Sequence, residues 1–245
     1  MAVQAEMTMD LPKVVSRSEW LKARKQLLSH EKEFTHQRDA LNQARRKLPL
    51  VKVEKEYAFD GPSGRTTLLD LFGKHPQLIV YHFMFEPGWD AGCPSCSLFA
   101  DNFTGAILHL AARNTAFACV SLAPIGKIGA FKKRMGWTFP WYSSWDSSFN
   151  RDFQVTVDTT TDDEYNYTKA ADLRKAGKIW MEKGELPGLS VFLRNGDSVF
   201  HSYSTYGRGL DLLLNTYNYL DLTPLGRQEQ DGIMKWVRHH DKYGE

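Results

Sequence analysis

The sequence predicts an α/β fold in which a central sheet is flanked by helices. Apolar strand-like runs alternate with helical segments between residues 77 and 135, an order that gives right-handed crossovers and a largely parallel sheet. Two later β-rich runs meet at Asn195-Gly196, a hairpin turn that adds antiparallel strands and makes the sheet mixed. A charged helical segment precedes the first strand and forms an N-terminal extension.

The N-terminal extension is predicted as one amphipathic helix over residues 16–47. Ser16 and Glu19 form a capping-box pattern, and Pro49 should end the helix. Its apolar side chains recur at helical spacing: Trp20, Leu21, Leu27, Leu28, Phe34 and Leu41. We therefore assign residues 1–49 to a helical arm that packs on the main domain or on a second subunit, so that a homodimer is one expectation.

The first strands are predicted from a change in hydrophobic pattern after residue 50. Residues 51–59 alternate apolar and polar side chains, as in a one-sided strand, and residues 60–64 (DGPSG) supply a turn. Residues 77–85 are almost all apolar, which is typical of a central strand buried on both faces. The main domain is assigned to residues 50–222.

Helices and strands then alternate. A helix is predicted over residues 97–113, a buried strand over 115–122 and a short basic helix over 125–135. The helix of residues 97–113 has apolar side chains on one face: Leu98, Phe99, Phe103, Ile107, Leu108 and Leu110.

The C-terminal half has a weaker pattern. Residues 137–153 are aromatic but irregular, and residues 158–185 are polar and interpreted as an insertion. The hairpin of residues 189–204 is followed by a helix predicted over residues 209–220. Residues 223–245 are a C-terminal tail, either a short docked helix or a frayed end.

Composition and charge exclude several classes of function. The chain has 31 basic and 29 acidic residues, a formal net charge of +2, so no strong field attracts nucleic acid or an anionic membrane. Residues 78–85 are too short to cross a bilayer, and residues 1–14 lack the apolar core of a secretory signal. We therefore expect a cytoplasmic protein with no nucleic-acid or membrane partner.

A pair of cysteines lies where the central strand gives way to a helix. Cys93 begins the sequence Cys-Pro-Ser-Cys, and a thiol at a helix N-terminus is acidified by free N–H groups and the helix dipole. Cys96 lies one turn further and can attack a mixed disulfide formed on Cys93. Pro94 fixes the backbone between them and removes one N–H donor. This spacing indicates a redox dithiol, with Cys93 as nucleophile and Cys96 as resolving thiol.

Other uses of these cysteines are weaker matches to the sequence. Structural zinc needs four ligands, and the candidates besides the dithiol have no recognisable spacing: Cys119, His82, His109 and His201. Covalent haem needs a histidine where this chain has Ser97, and an iron–sulfur cluster lacks thiolates. No metal or cofactor is therefore expected. The remaining alternative is that both thiols only pack a helix start.

Residues near the dithiol are candidates for the substrate cleft or for structure. Trp89, Asp90 and Pro94 are candidate residues of a substrate cleft, and Trp89 and Asp90 could instead tune the thiolate or simply pack in a loop. His82 and Cys119 are interpreted as core residues of buried strands. Four further residues are expected to be structural or solvated: Tyr203, Tyr206, His239 and His240.

The runs YHFMFEPGWDAGCPSCSLFAD (81–101) and FACVSLAPIGKIGAFKKRMGWTFPWYSS (117–144) resemble a family of thioredoxin-like proteins, domain of unknown function 899. Members are described as predicted dithiol–disulfide oxidoreductases related to thioredoxins and to thiol peroxidases of the alkyl hydroperoxide reductase type. The resemblance implies a thioredoxin-like three-layer fold and a redox role for Cys93 and Cys96. It implies no substrate.

Several positions depart from these relatives. Thioredoxins carry Trp-Cys-Gly-Pro-Cys, whereas here Gly92 precedes the first cysteine and Pro94 follows it. Pro187 is the best match to the cis-proline that faces the dithiol in thioredoxin-like folds, with two residues between it and the strand. The peroxidase pattern Pro-x-x-x-Thr-x-x-Cys is absent, because counting from Pro87 places Ala91 and Pro94 at its threonine and cysteine positions.

The sequence therefore predicts a thiol–disulfide oxidoreductase that acts on a protein or small-molecule disulfide and receives electrons from an unidentified donor. One alternative is a thiol peroxidase in which Cys93 forms a sulfenic acid that Cys96 captures. Another is a non-enzymatic binding protein, with residues 137–149 as its partner surface.

Overall fold

The computed structural model describes residues 12–179 and 181–244, and the chain divides into two compact units with the boundary between Leu48 and Pro49. The first unit contains helix α1 (Arg17–Arg45), whose predicted capping box is confirmed. The Ser16 hydroxyl accepts from the Glu19 N–H (3.3 Å), and the Glu19 carboxylate accepts from the Ser16 N–H (3.0 Å). The helix ends at Arg45, before Pro49. Residues 1–11, where no secretory signal is expected, lie outside the described residues.

The second unit contains the sheets and the remaining helices. Its strands are β1 (Val51–Lys52), β2 (Ala58–Gly61), β3 (Gly64–Thr67), β4 (Gln77–His82), β5 (Thr115–Ser121), β6 (Trp141–Ser143), β7 (Thr156–Asp158), β8 (Glu164–Tyr165), β9 (Thr168–Lys169), β10 (Lys183–Glu185), β11 (Gly188–Asn195) and β12 (Ser198–Tyr206). Its α-helices are α2 (Pro94–Ala100), α3 (Phe103–Ala111), α4 (Ile125–Arg134), α5 (Phe149–Asp152), α6 (Ala170–Lys175) and α7 (Asn215–Leu220). Short 3₁₀ helices span Asp70–Phe72, Gly207–Leu213 and His240–Lys242.

The main sheet has the strand order β1-β12-β11-β4-β5-β6-β2-β3. Strands β4, β5 and β6 are parallel, and the hairpin β11–β12 joins the other side of β4 antiparallel. The order β12-β11-β4-β5, with helices connecting β4 to β5, is the thioredoxin-like core. The sheet is mixed as expected, but its parallel part is limited to three strands because the chain returns after α5 to pair antiparallel with β4.

The two faces of the sheet carry separate apolar layers. Tyr81 of β4 contacts a layer that contains α2, α3, α4 and α7. Leu78 and Val80 alternate with it and contact the opposite layer, formed by the 3₁₀ helix Asp70–Phe72 and by α5. The architecture therefore has the predicted three layers, and the dithiol belongs to the layer of Tyr81.

The single strand predicted over residues 51–59 is wrong. Val51 of β1 pairs with His201 at one edge of the sheet, whereas Asp60 of β2 pairs with Ser143 of β6 near the other edge. The intervening residues connect the two edges, so the alternation belongs to two short strands.

Other element boundaries also differ from those predicted. The helix of residues 97–113 is two helices, separated at Asp101 and Asn102, where the Asn102 side chain donates to the Leu98 carbonyl (3.1 Å). Residues 137–153, predicted to be irregular, include β6 and α5, and residues 209–220 begin as 3₁₀ helix before α7. The 125–135 helix and the 189–204 hairpin are confirmed as α4 and β11–β12.

The segment interpreted as an insertion is folded. Residues 158–185 contribute β8 to β10 and α6. Their buried side chains Tyr165, Ala170, Leu173 and Ile179 form a small core with the flanking residues Val155, Val157 and Leu186 and with Tyr206 of β12. The tail is docked over its described part and includes the 3₁₀ helix His240–Lys242: Val237 is buried, and Arg134 of α4 forms an ion pair with Asp241 (2.8 Å). None of the described helices is both long enough and apolar enough to cross a lipid bilayer.

Candidate active site

The dithiol lies at the start of α2, as predicted. Cys93 is the N-cap residue, and Pro94 is the first helical residue. The Cys93 N–H donates to the Met84 carbonyl (3.0 Å), and the Ser97 N–H and hydroxyl both donate to the Cys93 carbonyl (2.9 Å each). These bonds fix Cys93 between the end of β4 and the first turn of α2. Cys93 is half-buried and Cys96 is buried.

The two thiols have opposite electrostatic environments. Hydrogen bonding from the Cys96 thiol, together with the N–H groups of Cys96 and Ser95 and the Ser95 hydroxyl, lowers the pKa of Cys93 to about 7 against the opposing effect of burial. Burial, and secondarily the neighbouring Cys93, raises the pKa of Cys96 well above its ordinary value. Near neutral pH, a large fraction of Cys93 is therefore thiolate, whereas Cys96 remains a thiol.

Replacing Ser95 with alanine is expected to raise the pKa of Cys93, because one hydrogen bond to its thiolate is lost. The rate of alkylation by iodoacetamide, followed against pH, measures this pKa. The matched variant Ser147→Ala removes a hydroxyl that bonds the Phe149 N–H, on a different loop, and should leave the profile unchanged. A Ser95→Ala profile identical to that of the wild type would contradict the assigned contact.

Both thiols open into one cleft of about 470 Å³. Its polar lining comprises Tyr81, Ser95, Tyr165, Lys178, Arg208 and Asp211. Its apolar lining comprises Met84, Phe99, Ile179, Leu186, Pro187, Leu210, Ile233 and Met234. Two walls come from segments to which the sequence assigned no function: residues 158–185 and the tail after residue 223.

Pro187 lines this cleft together with the dithiol. Its carbonyl accepts a hydrogen bond from the Tyr165 hydroxyl (2.8 Å), which itself accepts from the Gly207 N–H (2.8 Å). The prediction of a cis peptide bond before Pro187 is wrong, because the described residues contain no cis peptide bond. The trans state is also the preferred state of an X–Pro bond. Strand β11 begins directly at Gly188, where a Cβ would lie 2.9 Å from the Tyr206 ring.

The other predicted cleft residues lie elsewhere. Trp89 is half-buried against the apolar layer, and its carbonyl accepts from Lys127 (3.0 Å). Asp90 and Pro94 are exposed, and none of these three side chains lines the cleft. Gly92 is buried so tightly that a Cβ would lie 2.5 Å from the Phe83 ring, which explains glycine before the first cysteine.

The residues expected to be structural also have defined positions. Cys119 is buried in β5, and the buried His82 lies 2.8 Å (Nε2) from the Ser190 hydroxyl on the face opposite the dithiol layer. Tyr206 is buried and donates to the Phe153 carbonyl (3.0 Å), whereas Tyr203 is half-buried in β12. In the tail, His239 Nε2 lies 2.8 Å from the Gly92 carbonyl and His240 Nδ1 lies 2.7 Å from Asp101 Oδ1. The tail is therefore anchored beside the dithiol loop.

Tyr81 is a cleft residue that the sequence analysis missed. Its ring packs on Phe99 and Phe103, with centroids 5.8 and 5.0 Å away, along the face of α2 and α3 that also carries Cys96. Its hydroxyl is buried, and none of the described residues forms a well-formed hydrogen bond with it. Its interaction with the Cys96 sulfur lowers the pKa of that thiol, against the larger effect of burial. The available signal was a tyrosine in a buried strand, since a buried phenol requires a partner.

Tyr81→Phe is expected to slow attack by Cys96 about tenfold, because the phenol no longer stabilises the Cys96 thiolate. Single-turnover kinetics measure this as slower loss of the mixed disulfide on Cys93, while its formation is unchanged. Tyr57→Phe is the matched control, because Tyr57 is also buried but donates to Asp152 and packs in the opposite layer. Equal rates of loss in both variants would contradict the role of Tyr81.

Within the described residues, no group of three or more histidine, cysteine or carboxylate side chains is arranged to hold a metal ion. The groups that the cleft offers for chemistry are the two thiols and the phenol of Tyr81.

Comparison with known families gives a match over residues 9–243 to the family described as "Bacterial protein of unknown function (DUF899)". The chain belongs to the DUF899 family. The match covers both the dithiol loop and the segments that wall the cleft. No match to this DUF899 chain is found among curated proteins.

Solved structures similar to the DUF899 chain include peroxiredoxins. A variant of PrxQ from Xylella fastidiosa is 15% identical, with a TM-score of 0.43 over 66% of this chain and 88% of that one. A peroxiredoxin Q variant from Xanthomonas campestris is 16% identical, with a TM-score of 0.44 over 66% and 90%. Peroxidoxin BcpB from Mycobacterium tuberculosis is 14% identical, with a TM-score of 0.43 over 71% and 97%.

Proposed function

We propose that this protein is a thiol–disulfide oxidoreductase in which Cys93 is the nucleophile and Cys96 the resolving thiol. The observation that carries the proposal is the asymmetry of the two thiols within one cleft. Cys93 is half-buried with a pKa lowered to about 7, whereas Cys96 is buried with a raised pKa. Such a pair combines an attacking thiolate with a second thiol that reacts only inside the complex.

The reaction transfers two electrons from the dithiol to a disulfide R–S–S–R′. The Cys93 thiolate attacks one sulfur, a Cys93–S–S–R bond forms, and R′S⁻ leaves and takes up the proton of Cys96. Cys96 then attacks the Cys93 sulfur, the Cys93–Cys96 bond forms, and RS⁻ leaves and is protonated by solvent. A donor of two electrons must reduce the enzyme again, so we place the protein in a reducing compartment, the cytoplasm.

The decisive experiment uses Cys96→Ser. Wild-type protein mixed with hydroxyethyl disulfide should show a Cys93–Cys96 bond by mass spectrometry, whereas Cys96→Ser should accumulate the mixed disulfide on Cys93. Cys119→Ser is the control, because Cys119 lies in β5 and does not line the cleft. Absence of any bond between Cys93 and Cys96 in the wild type would refute the proposal.

The reaction of the same protein with hydrogen peroxide tests the alternative that it is a thiol peroxidase. Hydrogen peroxide in place of the disulfide should oxidise Cys93 no faster than a free thiol of similar pKa, because the threonine of the peroxidase pattern is absent at residue 91. A rate several orders of magnitude faster would favour a sulfenic acid on Cys93 as the first product. A variant lacking both thiols that kept full biological activity would instead support a binding protein.

A further inference from the structure

The cleft that contains the dithiol is walled mainly by apolar side chains from distant parts of the chain. Leu186 and Pro187 come from the segment before β11, and Ile233 and Met234 come from the tail. Ile233 is 67% exposed although it lines the cleft. When a ligand covers an apolar side chain that is in contact with water at the wall of a cleft, the free energy of the complex is lowered.

The charged residues of the cleft are solvent-exposed or paired. The Arg208 guanidinium donates to the Asp211 carboxylate (3.1 Å), and its side chain is 76% exposed. Lys178 is also exposed. The surface next to the two sulfurs is supplied instead by Met84, Phe99 and the phenol of Tyr81.

The size of the cleft limits what can reach Cys93. Small-molecule sites in proteins typically enclose about 300 to 1,000 Å³, and this cleft encloses about 470 Å³. Residues 186–187 and 233–234 form walls of the same cavity that Cys93 lines. A flat protein surface therefore reaches the Cys93 sulfur less easily than a slender molecule does.

We propose that the substrate is a low-molecular-weight disulfide with an apolar arm, alkyl or aryl, which lies in this cleft while its sulfur bonds Cys93. The inference rests on the proposed function and specifies its substrate class. The R group of the Cys93–S–S–R intermediate occupies the apolar cleft and leaves as RSH when Cys96 forms the internal disulfide. Binding of the arm therefore contributes to the first attack.

The test is a series of symmetrical dialkyl disulfides, from methyl to butyl, mixed with the reduced protein in single-turnover reactions, which need no electron donor. Each step in the series lengthens both arms by one CH₂, of which one enters the cleft, so each step should raise the second-order rate constant about threefold to fourfold, until the cleft is full. Rates with dithiothreitol over the same series correct for intrinsic reactivity. The disulfides of insulin, a protein, should react more slowly than the dibutyl compound.

Ile233→Asp places a charge on the cleft wall and should reduce the gain per CH₂ to near zero. Leu222→Asp is the matched control, because Leu222 is 83% exposed and does not line the cleft. Met234→Gln provides a second, milder wall variant if Ile233→Asp does not fold, as judged by circular dichroism.

The outcomes separate this inference from the proposed function. If the wild-type dithiol reacts with none of the disulfides, the proposed function fails. If it reacts but the rate is independent of chain length, or if insulin reacts faster than the dibutyl compound, the oxidoreductase assignment stands and the substrate class is overturned. A gain per CH₂ that persists in both wall variants would also overturn it.

Discussion

Replacing Cys93 with serine is expected to lower the rate of disulfide reduction by on the order of a thousandfold or more, because the attacking thiolate is lost. Cys96 cannot substitute for it, since Cys96 is buried and its pKa is raised well above the ordinary value. The rate constant is measured in single-turnover reactions with hydroxyethyl disulfide, with the reduced wild-type protein measured in parallel.

The Cys93→Ser variant should fold as the wild type does. Serine is a favourable N-cap residue, and the backbone bond from residue 93 to the Met84 carbonyl does not depend on the side chain. Cys119→Ser is the control for loss of a thiol that is not the nucleophile. Cys119 is buried in β5 and does not line the cleft, so this variant should keep the wild-type rate of disulfide reduction. Retention of more than about a tenth of the wild-type rate in Cys93→Ser would assign the nucleophile elsewhere.

Acid is expected to destabilise the fold through His82. The His82 ring is buried against Phe149 and Phe153, and its Nδ1 atom has no hydrogen-bond partner among the described residues. Burial, and secondarily the proximity of His201, lowers the pKa of His82 to about 3. In the unfolded chain the pKa is about 6.5. Between these values the unfolded state binds a proton that the folded state excludes, so the free energy of unfolding falls as the pH falls.

The contribution of His82 should decrease by about 2 kcal/mol between pH 7 and pH 5. Glu185 acts in the opposite direction: burial raises its pKa to about 7, so the folded state takes up a proton in the same range and gains stability as the pH falls. The informative quantity is therefore the difference in free energy of unfolding between the wild type and His82→Gln, measured by urea denaturation at both pH values.

That difference should shrink toward lower pH, although His82→Gln is less stable at neutral pH because it disturbs the bond to Ser190. In a Glu185→Gln background the free energy of unfolding should fall more between pH 7 and pH 5, since the opposing proton uptake by Glu185 is removed. A wild-type minus His82→Gln difference that is constant with pH would show that His82 does not have the lowered pKa.

Local patterns predicted the parts of the fold that depend on neighbouring residues. The capping box at Ser16, the apolar strand that begins at Gln77 and the hairpin at Asn195-Gly196 all follow from spacings of a few residues, although that strand ends at His82 and not at Phe85 as predicted. The position of Cys93 as a helix N-cap is equally local, because the strand, the loop and the start of α2 are consecutive in the chain.

Patterns of the same kind failed where the chain changes neighbours. Residues 51–59 alternate like one strand, but the two ends of this segment pair at opposite sides of the sheet. The alternation indicates that successive side chains of this segment face different environments. It does not indicate which strand pairs with them.

The sequence by itself determined a thioredoxin-like α/β chain with Cys93 and Cys96 at a strand-to-helix junction. Only the tertiary structure decided what surrounds the sulfurs: Tyr81 from β4, Pro187 before β11, and Ile233 from the tail. The physical reason is that a cleft is made by residues far apart in the chain, which topology and packing bring together. Periodicity records which side of its own element a residue occupies, so it contains no information on those distant contacts.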